Sequence, residues 1–415
     1  MEHTGFKTYG YRWAVLLAFM FVVLINQLMW ITFAAITADS ARFYGVSDLS
    51  IGLLSMSFMI VYIFIAIPAS WAIDTYGIRV AVGIGAVLTA GFGLMRGLVA
   101  SNFTLVLIAQ IGIAIGQPFL LNAMTKVAAR WFPLGERATA SGMASLAIYV
   151  GILLGLVLTP FLTLQYTIGG MLTIYGIVGV VAAVVFLSVV REHPPTPPCP
   201  PELEERSLML DGLKDLFHNA SFILLMIIFF VGLGIFNGVT TWIEDILRPQ
   251  GFTTTQAGIT GGLMIVGGIL GAVVLPTLSD RYHKRVPFIF LAVLGATVGL
   301  VGIALTTNYV LLLTSAFIMG FFLLSAGPIG FQYGAEISYP TPEGTSNGLL
   351  ILMGQVSGII IIFGMDSFKS PTTGSMFPSL VLLIVLLALC LLLCVRLKEP
   401  KTALTEAART SAASK

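Results

Sequence analysis

Ile73-Asp74-Thr75-Tyr76-Gly77-Ile78-Arg79 and Ser279-Asp280-Arg281-Tyr282-His283-Lys284-Arg285 both read D-x-Y-x-x-R, with Asp74 and Asp280 standing 206 positions apart. A second pair, Phe132-Pro133-Leu134-Gly135-Glu136 and Tyr339-Pro340-Thr341-Pro342-Glu343, reads aromatic-P-x-x-E at an offset one residue longer. One such match is within chance, but two at nearly the same offset indicate a duplicated unit. Each D-x-Y-x-x-R copy follows an apolar run and precedes another, so the duplicated unit is built from long apolar segments.

The composition says where those segments lie. The chain has 415 residues, of which 57% are hydrophobic and 10% charged, with a mean hydropathy of +0.98. A soluble domain carries about 25% charged residues, so this chain cannot cover a water-facing surface and takes lipid as its solvent. A spanning helix needs about 20 predominantly apolar residues. Twelve runs meet that length, at roughly 13–37, 51–72, 80–100, 103–125, 138–162, 168–190, 221–246, 257–278, 286–306, 309–334, 347–365 and 377–397. The fold class is therefore all-α and integral to the membrane, with twelve spans in two pseudo-symmetric six-helix bundles. The expected division is 1–192 for the first bundle, 193–219 for a linker, 220–398 for the second bundle and 399–415 for a tail. The linker holds the Pro-rich stretch Pro194 to Pro201. It ends in Ser207 to Phe217, which reads either as a short amphipathic helix on the membrane surface or as a plain tether.

Charge sets the orientation. Seventeen of the 21 Lys and Arg fall on the side that holds both termini, and Arg42, Arg96, Arg248 and Lys369 fall on the other. The positive-inside rule then puts both termini in the cytoplasm of a cell-membrane protein. A net charge of +2 gives no reason to expect nucleic acid. Cys199, Cys390 and Cys394 form no metal or disulfide pattern, and no cofactor is expected. The chain has no H-E-x-x-H, G-x-S-x-G or Walker loop, so an enzyme is not expected. The expected partners are a small-molecule substrate and the bilayer, with the chain acting as a monomer.

Polar residues inside the runs are the candidates for chemistry. Asn26 and Trp30 stand one turn apart in the first run, and Gln117, Asn237, Gln332 and Gln355 lie in the fourth, seventh, tenth and eleventh. An amide in lipid must be paired or face water, so these side chains either join helices or line a central cavity. Trp30 beside an amide makes a possible cation–π platform. Arg96, near the outer end of the third run, can snorkel. Asp39, Glu244, Asp245 and Asp366 also lie near outer ends, and all four His lie in loops or a tail, so no titrating group stands at mid-membrane to couple transport to protons. In the loops, Asp74, Arg79, Glu136, Arg137, Asp280, Arg281, Arg285 and Glu343 are candidates for gating, because contacts made in only one conformation bias a rocking equilibrium.

Parallel repeats of six spans are the arrangement of the major facilitators, and both D-x-Y-x-x-R loops resemble degenerate copies of their cytoplasmic Gly-x-x-x-Asp-Arg-x-Gly-Arg-Arg motif. A narrower resemblance rests on three places. Glu336-Ile337-Ser338-Tyr339-Pro340-Thr341-Pro342-Glu343-Gly344-Thr345-Ser346-Asn347-Gly348-Leu349-Leu350 with Gln355 closely resembles the signature between spans ten and eleven of the feline leukaemia virus subgroup C receptor-related transporters. Gln117-Pro118-Phe119-Leu120-Leu121, running on to Ala128-Ala129-Arg130-Trp131-Phe132, resembles that family's fourth span, and Asn26 with Trp30 resembles its first-span Asn-x-x-x-Trp. The family is linked to choline and ethanolamine transport and, in older proposals, to haem export. The resemblance implies an aromatic site for an ammonium group, carried here by Trp30, with Asn26, Gln117 and Gln355 contributing. The family's seventh-span Tyr is absent from Gly234-Ile235-Phe236-Asn237-Gly238-Val239, where Phe236 supplies the available π face. The function implied is alternating-access transport of a small polar organic solute such as choline or a related amino alcohol. The alternatives are an organic-anion or multidrug carrier using Arg96, and a membrane receptor that binds solute without moving it.

Overall fold

The structure is a computed structural model that describes residues 8–196, 198, 213–339, 341 and 343–399. The described residues form helices and no strands. These are α1 Tyr11–Ile31, α2 Thr37–Tyr44, α3 Asp48–Leu98, α4 Phe103–Leu121, α5 Met124–Trp131, α6 Leu134–Val189, α7 Leu213–Leu216, α8 Ala220–Thr241, α9 Ile243–Leu247, α10 Thr254–Tyr282, α11 Val286–Leu305, α12 Tyr309–Ser338, α13 Glu343–Ser367 and α14 Phe377–Cys394. In lipid every backbone group must be satisfied internally, so long apolar stretches have no alternative to the helix.

Ten stretches are long and apolar enough to span. Two of them, α3 and α6, are each broken once, at Gly77 (φ 84°) and at Thr167 (φ 64°), and so cross twice. The expected twelve crossings follow, six before the linker and six after it. Of the linker, residues 197 and 199–212 lie outside the described residues, so its amphipathic stretch is described only from the short α7 onward. The face at which α1 begins is called near below, and the opposite face far.

The 206-residue repeat extends beyond the loops into the helix caps. Ser47 and Thr253 cap α3 and α10, and Asn102 and Asn308 cap α4 and α12, each pair at the same spacing. Each side chain accepts a hydrogen bond from the first turn of its helix, satisfying an otherwise unpaired N–H.

Between the halves, α6 packs on α10 and α3 on α13. Small residues bring these backbones together. A Cβ on Gly258 would lie 2.5 Å from Leu156 O, and one on Gly358 would lie 2.5 Å from Met59 Sδ. Both contacts lie in the far part of the membrane. Small residues at crossings let helices approach closely in lipid, where packing replaces the hydrophobic effect.

Candidate functional site

The cavity candidates stand on α1, α4, α8 and α13. Trp30 is 6% exposed, and its Nε1 donates to Ser55 O at 3.2 Å, tying α1 to α3. One turn along α3 from Ser55 stands Met59, whose sulfur meets Gly358 of α13. Asn237 adjoins the same α13 turn, donating from Nδ2 to Gly354 O at 3.3 Å. Gln355 lies in that turn, half-buried, and hydrogen-bonds to no described residue. Gln117 on α4 is 6% exposed and is equally without a partner among the described residues. Phe236 of α8, next to Asn237 in sequence, is half-buried. An amide held in the membrane without a partner must find water or a ligand.

Three sequence candidates are engaged elsewhere. Asn26 is fully buried, and its amide is spent within the first half. It donates to Thr89 Oγ1 and to Ile113 O and accepts from Gln27 Nε2. Gln332 is exposed near the near face, where it donates to Glu336 Oε1 at 3.0 Å. Arg96 corrects the expectation that it snorkels, because its exposure is 0%. Its guanidinium donates to Met29 O, Gln110 Oε1 and Thr32 Oγ1 and lies over Phe33. The reason lies in α1, which stops at Ile31 and leaves carbonyls such as Met29 O without helical donors. Arg96 and Gln110 supply those donors.

The loop residues expected to gate act within their own halves in this conformation. Asp74 pairs with Lys126 at 2.5 Å, Arg12 with Glu136 at 3.1 Å, and Arg285 with both Asp280 and Glu336. Arg137 donates to Ala129 O and Phe132 O, steadying the turn into α6. Arg281 and Arg79 are exposed, the backbone N–H of Arg79 donating to Glu192, and the Glu343 side chain lies outside the described residues.

Two other carboxylates cap the spans that follow these loops. Glu192 accepts from the N–H groups of Ile78 and Arg79 and pairs with Arg130, while Glu399 accepts from those of Arg285 and Val286. Each thus sits on the first N–H groups of the span that follows a D-x-Y-x-x-R loop, where a negative charge is favoured. The signal was a basic residue followed by Glu just after the sixth span of each half, Arg191-Glu192 and Lys398-Glu399.

Among the described residues, the hydrogen bonds and ion pairs that join the two halves lie at the far face. Asp48 of the first half meets Lys369 Nζ at 2.7 Å and Arg248 Nη2 at 3.2 Å from the second. Lys369 also reaches Asp245 at 3.3 Å, and Arg248 reaches Asp245 at 2.7 Å and Glu244 at 3.2 Å. Glu244 in turn accepts from the Ala38 N–H across the divide at 3.0 Å. Beside this cluster the fully buried Trp242 ring rests on the spot where a Cβ on Gly52 would lie, 2.7 Å away. A third repeat could have revealed the cluster: Asp39, Arg42 and Gly45 recur as Asp245, Arg248 and Gly251, both glycines having positive φ. The copies differ in use, since Asp39 and Arg42 are exposed and 3.9 Å apart.

The latch holds three carboxylates, Asp48, Glu244 and Asp245, against two cations. Burial would lower the Lys369 ammonium, but Asp245 and Asp48 override it and hold it above the ordinary lysine range. On α9, beyond the end of the seventh span, burial raises Glu244 to about 7, with Arg248 opposing and Asp245 and Asp39 assisting. An acid whose pKa is raised in the latched state binds its proton more tightly there, so protons favour the latch. That gain is complete below the ordinary carboxylate value of about 4.3 and is lost as pH rises through about 7. Labels across the far face should therefore approach on acidification from pH 8 to 5, and Glu244→Gln should weaken the dependence, with Asp245, also raised by burial, keeping the rest. A pH response undiminished in Glu244→Gln would place the titrating group elsewhere.

Known proteins fit this geometry. A family model described as Major Facilitator Superfamily matches residues 15–362. Solute carrier family 49 member A3 of Xenopus tropicalis is 30% identical over 383 residues, covering 88% of this chain and 80% of that one. The human choline/ethanolamine transporter FLVCR2 is 30% identical over 370 residues, covering 84% and 70%. Among solved structures, a bacterial homologue of the human lysosomal transporter Spinster, in an inward-facing and unoccupied conformation, matches with a TM-score of 0.75. It is 16% identical and covers 94% of this chain and 97% of that one.

Proposed function

Because this chain belongs to the Major Facilitator Superfamily, we propose that it carries a small amino alcohol, choline or a close relative, across the cell membrane by alternating access. What supports the proposal is that helices of both halves carry two aromatic rings, Trp30 and Phe236, and two buried or half-buried amides without partners among the described residues, Gln117 and Gln355. Two aromatic faces suit an ammonium head that has lost its water. Two amides without partners suit the polar end of the solute. The related transporters whose names specify choline and ethanolamine support the choice of substrate. The Arg96 geometry gives the organic-anion alternative no support, since that cation is spent on backbone carbonyls.

In this proposal the near face is cytoplasmic, the halves join through 193–219, and the latch of Asp48, Arg248 and Lys369 closes the outside. The solute is moved unchanged, and with no titrating group in the cavity its uptake follows its own gradient. Asn26 then shapes the site through Thr89 and Ile113 rather than by touching solute. Asn237 orients the α13 turn that bears Gln355. The near-face charges Asp74, Arg79, Glu136, Arg137, Asp280, Arg281, Arg285 and Glu343 are proposed to rearrange when that face closes.

The test is choline uptake into proteoliposomes by wild type and Trp30→Ala, with and without a pH gradient. A desolvated cation–π contact of about 2 kcal/mol corresponds to roughly thirtyfold in half-saturation, so Trp30→Ala should lose at least that much. Wild-type uptake should ignore the gradient. Undiminished uptake by Trp30→Ala would remove the aromatic site from the account.

A further inference from the structure

On α6, the Leu156 carbonyl meets Gly258, and Leu153 and Val157 meet Gly262, so this stripe of α6 faces α10 across the divide between the halves. Tyr149 lies four residues before Leu153 on the same helix, hence on the same face and one turn nearer the near face. It thus stands immediately below the contacts that seal α6 on α10. Gln355 holds the matching place on the other interface, three residues below Gly358, where α13 meets α3.

The hydroxyl of Tyr149 is the unusual feature. Tyr62 donates to Asn122, Tyr175 bonds Thr159, and Tyr333 donates to Lys398 O. The hydroxyls of Tyr44 and Tyr309 also lack a hydrogen-bond partner, but both stand at helix ends at the far face rather than within a span. Tyr149 is half-buried and hydrogen-bonds to no described residue. Its place on the α6 face that meets α10 sets it on the divide between the halves rather than on the lipid side. A polar group in such a place is satisfied by water or by solute.

We propose that Tyr149 is a specificity residue of the solute site, its hydroxyl bonding the alcohol oxygen of the substrate while Trp30 and Phe236 hold the ammonium head. This rests on the amino-alcohol function proposed above and adds the group that reads the alcohol. It also accounts for a phenylalanine at position 236: the hydroxyl comes from the first half instead of the second. A site built to bond a hydroxyl rejects an analogue that lacks it, because the protein group is then left unpaired.

The experiment compares choline with ethyltrimethylammonium, which has the same head and no hydroxyl, as competitors of labelled choline uptake in proteoliposomes of wild type, Tyr149→Phe and Trp30→Ala. Wild type should prefer choline by roughly five- to tenfold, the worth of one hydrogen bond. Tyr149→Phe should bring that ratio close to one, whereas Trp30→Ala should weaken both compounds alike. A Tyr149→Phe protein that keeps the wild-type ratio would overturn this inference and leave the aromatic cation site standing. A wild-type protein that takes up no choline would overturn the proposed function, and this inference with it.

Discussion

Lys369→Met is expected to release the far face. Methionine keeps most of the apolar stem and removes only the charge that lies between Asp48 and Asp245. Asp245 is fully buried, Asp48 is one-quarter exposed, and Lys369 itself is 16% exposed, so water cannot replace the lost cation without the halves parting. Removing one partner of a buried pair costs about 3–5 kcal/mol, because the other charge is left uncompensated. Arg248 still touches both carboxylates, so the lower end, about 3 kcal/mol, is the better figure, a shift of roughly hundredfold toward the far-open state. Spin labels at Phe43 and Thr373, both exposed and on opposite halves, would report it in a background without native cysteines. The distance should lengthen in Lys369→Met. Arg42→Gln, which removes only the exposed copy of the repeated pair, should leave it as in wild type. Unchanged distances in Lys369→Met would show that the charge cluster does not hold the latch.

Gly77→Ala is expected to destabilise the near face by about 3 kcal/mol. At φ 84° and ψ 176° Gly77 occupies a region that is essentially restricted to glycine, and an L-residue there is strained by about 1–3 kcal/mol. The added methyl would also strike the Glu192 carboxylate, which caps the third crossing and pairs with Arg130. Losing such a cap costs about another 1 kcal/mol. The thermal midpoint of the purified protein should fall by several degrees relative to Gly327→Ala. Gly327 is a helical glycine at which a Cβ meets nothing within 4 Å, so that change should be neutral or mildly stabilising. Equal midpoints for the two variants would contradict the strained-turn and cap account. The second loop copy tolerates His283 at the equivalent place because its backbone, at φ 52° and ψ 37°, lies in the ordinary left-handed region.

Most of the fold was legible because lipid permits so few solutions. Twelve apolar runs gave twelve crossings, and the two D-x-Y-x-x-R loops marked the duplication. What the runs concealed was connectivity of another kind: α3 and α6 each continue through their turns, which are single-residue breaks at Gly77 and Thr167. The site was legible only in part. Residue type marks Gln117, Gln355 and Asn26 alike as amides that need an explanation, and it could not separate out Asn26, whose partners Thr89 and Ile113 lie on other helices. Arg96 was misjudged for the same reason, since its acceptors exist only because α1 stops at Ile31. The far latch was the largest omission. Asp48 and Lys369 are 321 residues apart, and neither belongs to a repeated motif. Tyr149 carries no motif either, and its position becomes visible only once α6 is seen against α10.

The central claim is that this chain moves an amino alcohol through a site that opens to one face at a time, and counterflow measures that most directly. Proteoliposomes holding only the purified protein and preloaded with unlabelled choline should take up external labelled choline faster than empty ones. They should accumulate it transiently above its outside concentration, whether or not a pH gradient is present. Equal uptake by loaded and empty vesicles, or no saturable uptake by the folded protein, would contradict the account.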